Sequence, residues 1–491
     1  MRKILLTLIS LVGLAVLVAC GGNSNSTPVP TPPSTGNNAG FTTSSLKGTY
    51  VFSASGATAS NSYAAAGTFI ADGLGNITGG TRDLVDDGGH QTLNGLLDNG
   101  SYSVNQDGRG QVVLNWHNAG TGDDSNGQVI YRFVLQSAST GKLFQVSNIA
   151  DAVGRVELQS NLVSTFPGST FIVTLNGEDS TGAPYGAVGG LTFASGGTVT
   201  GTIDENDAGT VNQLLTVSGG SYAEAPSSRG TATYTTSAGT HNFILYEVSP
   251  SRIELLSSDK SIFLHGFGDI QTSVAGTVAT FTGDQVFSIA GIDNSLDPIV
   301  ETGRLTLNGS GGVTNGLEDS NDAGTYTSNA TVAGNYSVAS TGRWMATMNT
   351  ISTGLIGWQV SPTQSAVLTN SGSFLETGEM RGQNISLTNA NITGNFAENL
   401  SGFFVGAGLV ESTGNFLADG NGNLNGTIDS QTPTADNFDF PETDVYTMSS
   451  TGRSSGSVGD VPVVIYAADA NTLYLISSDP SRIYEGKMDH Q

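Results

Sequence analysis

Residues Phe69 to Asp83 read FIADGLGNITGGTRD, and this stretch decides the fold. Asp72 followed by glycine can open a calcium loop or turn a hairpin. An EF-hand loop needs acidic or amide ligands at alternating positions and a distal glutamate. Here only Asp72 and Asn76 are offered. The stretch recurs as GLTFASGGTVTGTID, GRLTLNGSGGVTNGLED and GNFLADGNGNLNGTID, with Ser195, Asn308 and Asp419 in place of Asp72. Serine and asparagine turn a chain as aspartate does, but they are poorer ligands. What all copies keep is a tight turn between two short strands, so the stretch reads as a β-hairpin repeated through the chain.

Further markers recur in step with it. Each copy opens with an apolar residue, a spacer and a glycine: Leu46-Lys47-Gly48, Phe166-Pro167-Gly168, Phe281-Thr282-Gly283 and Ile392-Thr393-Gly394. A second glycine follows at Gly56, Gly177, Gly291 and Gly402. Arginine stands seven residues after tyrosine in every copy: Tyr102 and Arg109, Tyr222 and Arg229, Tyr336 and Arg343, Tyr446 and Arg453. The repeats are assigned to 46–160, 161–275, 276–387 and 388–491. Each is on the order of a hundred residues, long enough for its own core and too long for a propeller blade.

Within the first repeat, alternation places Tyr50 and Phe52 on one face, and Val112, Leu114 and Trp116 on another. About eight such strands are joined by hairpin-length turns. The expected fold is therefore all-β: a tandem array of four small antiparallel β-domains, each an eight-stranded up-and-down barrel, with β-sandwiches as the alternative. The 67 glycines suit a chain with many tight turns.

The N-terminus carries an address. Met1-Arg2-Lys3 is a basic head, Ile4 to Val18 is apolar, and Leu17-Val18-Ala19-Cys20 closes the segment. This reads as a secretory signal over residues 1–20, and its last four residues resemble the lipobox of bacterial lipoproteins. The resemblance implies cleavage before Cys20 and lipidation of Cys20, which is the chain's single cysteine. Residues 21–45, rich in proline, serine and asparagine, read as an extended tether. With its four-fold repeat, the chain is similar to largely uncharacterised repeat-containing bacterial surface lipoproteins. Gly48-Thr49-Tyr50 and Gly394-Asn395-Phe396 also resemble the Gly-x-Trp start of lipocalin-type barrels, without its tryptophan. The likeness implies an exported protein, lipid-anchored at the outer membrane or cell surface.

The net charge of −25 repels phosphate backbones, so nucleic acid is not expected as a partner. The membrane, through the N-terminal lipid, is one expected partner. A surface glycan, matrix component or small apolar ligand is the other. Asp83 and Asp86, Asp204 and Asp207, and Asp319 and Asp322 share D-x-x-D-x-G. Two carboxylates in one loop could hold calcium, and a solvated turn explains the pattern equally. The fourth repeat, from Asp429 to Pro433, breaks it. No other cofactor is expected. The Tyr/Arg pairs are read as repeat-structural, with Arg109 leaving its turn to meet an acidic residue such as Asp83. The histidines are scattered and no nucleophile has a base beside it, so an enzyme is not expected. The leading expectation is a structural or adhesion-like binding role at the cell surface. A carrier holding small ligands in barrel lumens is the alternative, and a carboxylate-dependent surface hydrolase the remote one.

Overall fold

The computed structural model describes residues 39–491, without 59, 147–149, 225–228, 261, 351–353, 384–385 and 460. The signal segment, Cys20 and the tether as far as residue 38 lie outside the described residues. Apart from two short 3-10 turns, the described regular structure is all strand.

Repeats one, three and four are closed barrels of eight antiparallel strands in sequential order. In the first, strand one (Lys47–Thr58) pairs with strand two (Ser62–Asp72) on one side and strand eight (Ala150–Leu158) on the other. The second repeat has the same plan with its fourth strand split into Thr210–Thr216 and Gly219–Glu224, giving a nine-stranded sheet. The half-strand Gly219–Glu224 returns to the start of the third strand (Val199–Asp207) through the Thr198–Ser221 bridge and a Tyr222 N–H to Gly197 C=O bond of 2.8 Å. A meander closed this way leaves few free edges.

Period-two alternation sorts the side chains. On strand one, Tyr50, Phe52 and Ala54 point into the barrel core. Val51 points outward yet is equally buried, because it packs on the neighbouring barrel. The four markers Gly56, Gly177, Gly291 and Gly402 lie where strand one crosses strand eight. A Cβ on Gly56 would sit 1.9 Å from the Asp151 carbonyl oxygen, and one on Gly402 1.9 Å from that of Ile483. Only glycine permits that approach.

The array closes on itself. Strands from the first three positions of each barrel pack on strands from the last three positions of the next. Val51, Ala64 and Val85 meet Ile244, Tyr246 and Leu256 across the first junction. Ile172 and Val188 meet Ile356 and Leu368 across the second. Val286 and Val300 meet Val464 and Tyr466 across the third. The fourth barrel then packs its strands one and two (Thr393–Phe404 and Gly408–Asp419) on strands six to eight of the first (Gln128–Ser137, Thr140–Val146 and Ala150–Leu158). A heterologous interface repeated with rotation makes a ring when the rotation closes, and here one chain completes it with four units. The fourth junction is the polar one. Lys142 pairs with Asp489 at 3.0 Å and Gln431 donates to Asp151 at 2.5 Å. No apolar cluster among the described residues spans it.

Candidate functional site

Each junction is centred on one aspartate from the repeated hairpin. Asp83 accepts two hydrogen bonds from Arg229 of the second barrel, both 2.7 Å, and one of 2.5 Å from the Tyr246 hydroxyl. Its own barrel adds the Asn94 N–H at 2.7 Å, from a residue at φ +56 that bulges the fourth strand (Gln91–Val104). Asp204 is held in the same way by Arg343 and the Trp358 indole N–H, and Asp319 by Arg453 and the Tyr466 hydroxyl. These are fork-on-carboxylate pairs, the geometry that arginine alone supplies. Burial would raise the Asp319 carboxyl, yet Arg453, Tyr466 and Tyr326 hold it below the usual carboxylate range.

The arginines thus pair across the junctions, and Arg109 also holds Asp107 of its own barrel. The expected Arg109–Asp83 pair does not form. Arg109 reaches from the first barrel to Asp429 of the fourth at 3.1 Å and shares itself with Asp107 and Asp439. Tyr246, Trp358 and Tyr466 stand opposite the arginine in register, and in the first barrel that place is Val134. Asp429 therefore lacks the hydroxyl or indole donor, and its Oδ2 is buried without a partner. Burial pushes the Asp429 carboxyl up, against Arg109 and Arg132.

The tyrosines of the Tyr/Arg pairs act inside their own barrels. Tyr102, Tyr336 and Tyr446 donate to the carbonyls of Leu46, Phe281 and Ile392, each the apolar residue that opens its repeat. Tyr222 makes the same contact with Phe166. A second staple escaped the sequence reading: Gln159, Gln271, Gln383 and Gln491, each five residues after a glycine of strand eight. Gln159 donates to Glu247 C=O, Gln271 to Gln359 C=O, Gln383 to Ala467 C=O and Gln491 to Leu135 C=O. Each bond crosses to the following barrel, the last from the fourth to the first.

The D-x-x-D carboxylates are not brought together. Residues three apart on a strand point to opposite faces. Asp83 enters the junction, whereas Asp86 turns to its own barrel end and accepts from the His90 N–H at 2.8 Å. Asp207 is pushed up to about 6 by burial, Asp179 and Glu205, and Asp322 is raised by burial, Asp293 and Asp297. Among the described residues no cluster of three or more His, Cys, Asp or Glu is placed to hold a metal. Asp72 is a turn former: its Oδ1 accepts the N–H groups of Leu74 and Asn76.

The lumens are filled. Phe52 packs against Phe69, Trp116 and Tyr131 in the first barrel, where Arg82 lies 4.4 Å over Trp116 and pairs with Asp123. Phe166, Phe171 and Phe193 fill the second, Phe287 and Trp344 the third, Phe396 and Phe416 the fourth. The lumen-carrier expectation therefore meets packed side chains in place of a ligand space. Trp116, Trp344 and Trp358 are all buried in core or junction.

A cavity of about 380 Å³ lies between the barrels, and all four repeats line it, each through its marker glycine Gly56, Gly177, Gly291 or Gly402. It therefore sits on the axis of the ring. Beyond it, strand eight supplies a charged plug: Arg155 lies 4.5 Å over the Phe267 ring, and Lys487 pairs with Glu379 at 2.8 Å. Burial would raise Glu379, yet Lys487 and Arg381 hold it far below the usual carboxylate range. The walls of the cavity differ. In register, the third barrel offers Val300 and Ala290, with Thr377 beyond, and the fourth offers Glu411, Ser401 and Glu485. Burial and then Glu379 push Glu485 up to about 7, and burial and then Asp151 raise Glu411.

Compared with known proteins, the chain matches no family and no curated protein. Among solved structures it is similar to transferrin binding protein B of serogroup B Neisseria meningitidis at 9% identity, covering 73% of this chain and 82% of that one, with a TM-score of 0.20. A double mutant of transferrin binding protein B from Haemophilus parasuis Hp5 matches at 11% identity, covering 71% and 82%, with a TM-score of 0.18. At these TM-scores the likeness adds nothing to the account of fold or function.

Proposed function

We propose that this chain is a lipid-anchored, extracytoplasmic binding scaffold: a ring of four barrels tied to the membrane through Cys20 and the 21–45 tether, presenting one face outward from the cell surface. The observation that carries the reading is the polarity of the ring. The described chain enters beside the turns between strands two and three, where Lys47 pairs with Asp72. The axial cavity lies toward the opposite face, where Gly56 pairs with Tyr63 near the turn between strands one and two. The entry of the described chain and the cavity thus lie toward opposite ends of the barrels. Repetition around an axis also multiplies weak contacts when the geometry lets several engage at once. No catalytic role is assigned.

Protease shaving of intact cells tests this reading. Ring peptides released from wild-type cells, and the ring shed into the medium from a Cys20→Ser strain, support it. Protection from protease in intact cells together with release only after spheroplasting would place the ring away from the surface. Binding of the intact protein to glycan and matrix arrays then identifies the partner.

A further inference from the structure

The four repeats keep the arginine, aspartate and glutamine that hold the ring together and diverge at the axial cavity. In each barrel three neighbouring residues form a row across strands two, one and eight. The rows are Ala64–Ser55–Val153, Gly186–Asn176–His265, Val300–Ala290–Thr377 and Glu411–Ser401–Glu485. Only the fourth is acidic. Its carboxylates flank Ser401 on one face, two strands apart, so their Cα atoms are separated by about 9–10 Å. Both line the cavity. Glu411 is 3% exposed; the Ala152 N–H of the first barrel meets its carboxyl, and its Oε2 has no hydrogen-bond partner. A buried carboxyl with an unpaired oxygen is costly to ionise, so it keeps its proton until a cation is seated beside it.

The chemistry of the remaining walls narrows what that can be. A hard metal ion asks for six or more oxygens, and the cavity also presents Ile299, Leu375, Ile483 and the ring of Phe403. A cation that carries its own apolar surface suits such a mixture, with the Phe403 ring adding a favourable face for positive charge. The chain's net charge of −25 draws cations toward it.

We infer that the axial cavity is a binding site for a small organic cation, an ammonium group on an apolar body, seated over Ser401 between Glu411 and Glu485. The ammonium donates to the two carboxylates and the apolar body lies against the third barrel's wall. One ligand occupies each ring, because the acidic wall occurs once in the four repeats.

Isothermal titration of the full-length chain in nonionic micelles, with matched micelle blanks, tests this. The probes are 2-phenylethylammonium, its neutral analogue 2-phenylethanol and the anion 3-phenylpropionate. The ammonium is expected to bind once per chain, with the alcohol at least about tenfold weaker and the anion silent. Glu411→Gln and Glu485→Gln should each weaken the ammonium by about tenfold and leave the melting temperature level or higher. Ala290→Phe, which fills the cavity from the opposite wall, should abolish binding in a chain that still elutes as a folded monomer. No ammonium binding at about 10 mM, equal binding of alcohol and ammonium, or unchanged affinity in the Glu411→Gln/Glu485→Gln double variant overturns the assignment. Because this titration needs no cell envelope, its failure is separate from failure of the surface-localisation reading.

Discussion

Arg109 and Asp429, 320 residues apart, are joined by a hydrogen bond of 3.1 Å that closes the ring of barrels. It repeats the contact that Arg229, Arg343 and Arg453 make with Asp83, Asp204 and Asp319, but with a poorer set of donors. The chain therefore has three junctions of one kind and a fourth that is weaker.

Removing an arginine from a strong junction leaves a buried carboxylate without its cation. Arg343→Ala, the most buried of the three strong pairs, should cost about 3–5 kcal/mol in denaturant unfolding. Arg343→Lys should recover only part of that, because an ammonium cannot reproduce the fork. Arg343→Ala with unfolding like wild type would mean that the junction does not hold the ring.

The fourth junction should open first. It has no apolar cluster among the described residues, Val134 replaces the aromatic donor, and Asp429 Oδ2 is unpartnered. In hydrogen exchange, amides of Gln128–Ser137 and Thr393–Phe404 should exchange before the corresponding strands of the other junctions. Gln491→Ala, which removes the bonds to Asp107 and Leu135 carbonyls, should widen that difference. Uniform exchange at all four junctions would contradict the ranking.

Much of the molecule was legible in the sequence, and the hairpin from Phe69 to Asp83 shows where legibility stops. Strand count, turn chemistry and the Tyr/Arg interval are local, and local periodicity carries them. The partner of Arg109 is not local, since nothing in one repeat says which barrel its guanidinium faces. Reading Asp83 and Asp86 as a pair ignored that residues three apart on a strand face opposite ways. The glutamines at 159, 271, 383 and 491 could have been found, since each follows a strand-eight glycine by five residues. The buried outward face of strand one was a further hint: Val51 breaks the expected alternation because it is covered by another barrel.

Stability should fall as pH rises through neutrality. Burial pushes Glu398 up to about 7, with Lys142 opposing, and burial and then Glu379 push Glu485 to about 7. A carboxyl whose folded pKa is raised binds its proton more tightly when folded. Its stabilising contribution is present below the unfolded value, near 4.5, and is lost as pH rises through about 7. The melting temperature should therefore be higher at pH 5 than at pH 8, and Glu398→Gln with Glu485→Gln should flatten the slope. At lower pH, protonation of Asp319 removes its junction contribution, since its folded pKa lies below the usual range. A melting temperature that rises from pH 5 to pH 8 would contradict the burial of these groups.

Gly402→Ala should prevent closure of the fourth barrel, because its Cβ would lie 1.9 Å from the Ile483 carbonyl oxygen. Loss of folded protein is expected, whereas Gly406→Ala, with nothing within 4 Å and a φ of +75, should cost about 1–2 kcal/mol from backbone strain alone. Equal behaviour of the two variants in thermal unfolding would refute the close crossing of strands one and eight.

Ring closure is the central claim, and one cross-link tests it most directly. The side chains of Gln431 and Asp151, from the fourth and first barrels, meet at 2.5 Å. An Asp151→Cys/Gln431→Cys chain that also carries Cys20→Ser, treated at high dilution with a short bis-maleimide, should show one intramolecular bridge by intact mass and peptide mapping. An open row of four barrels leaves the first and last units far apart. Both cysteines singly capped, or bridged only between molecules, would contradict the ring.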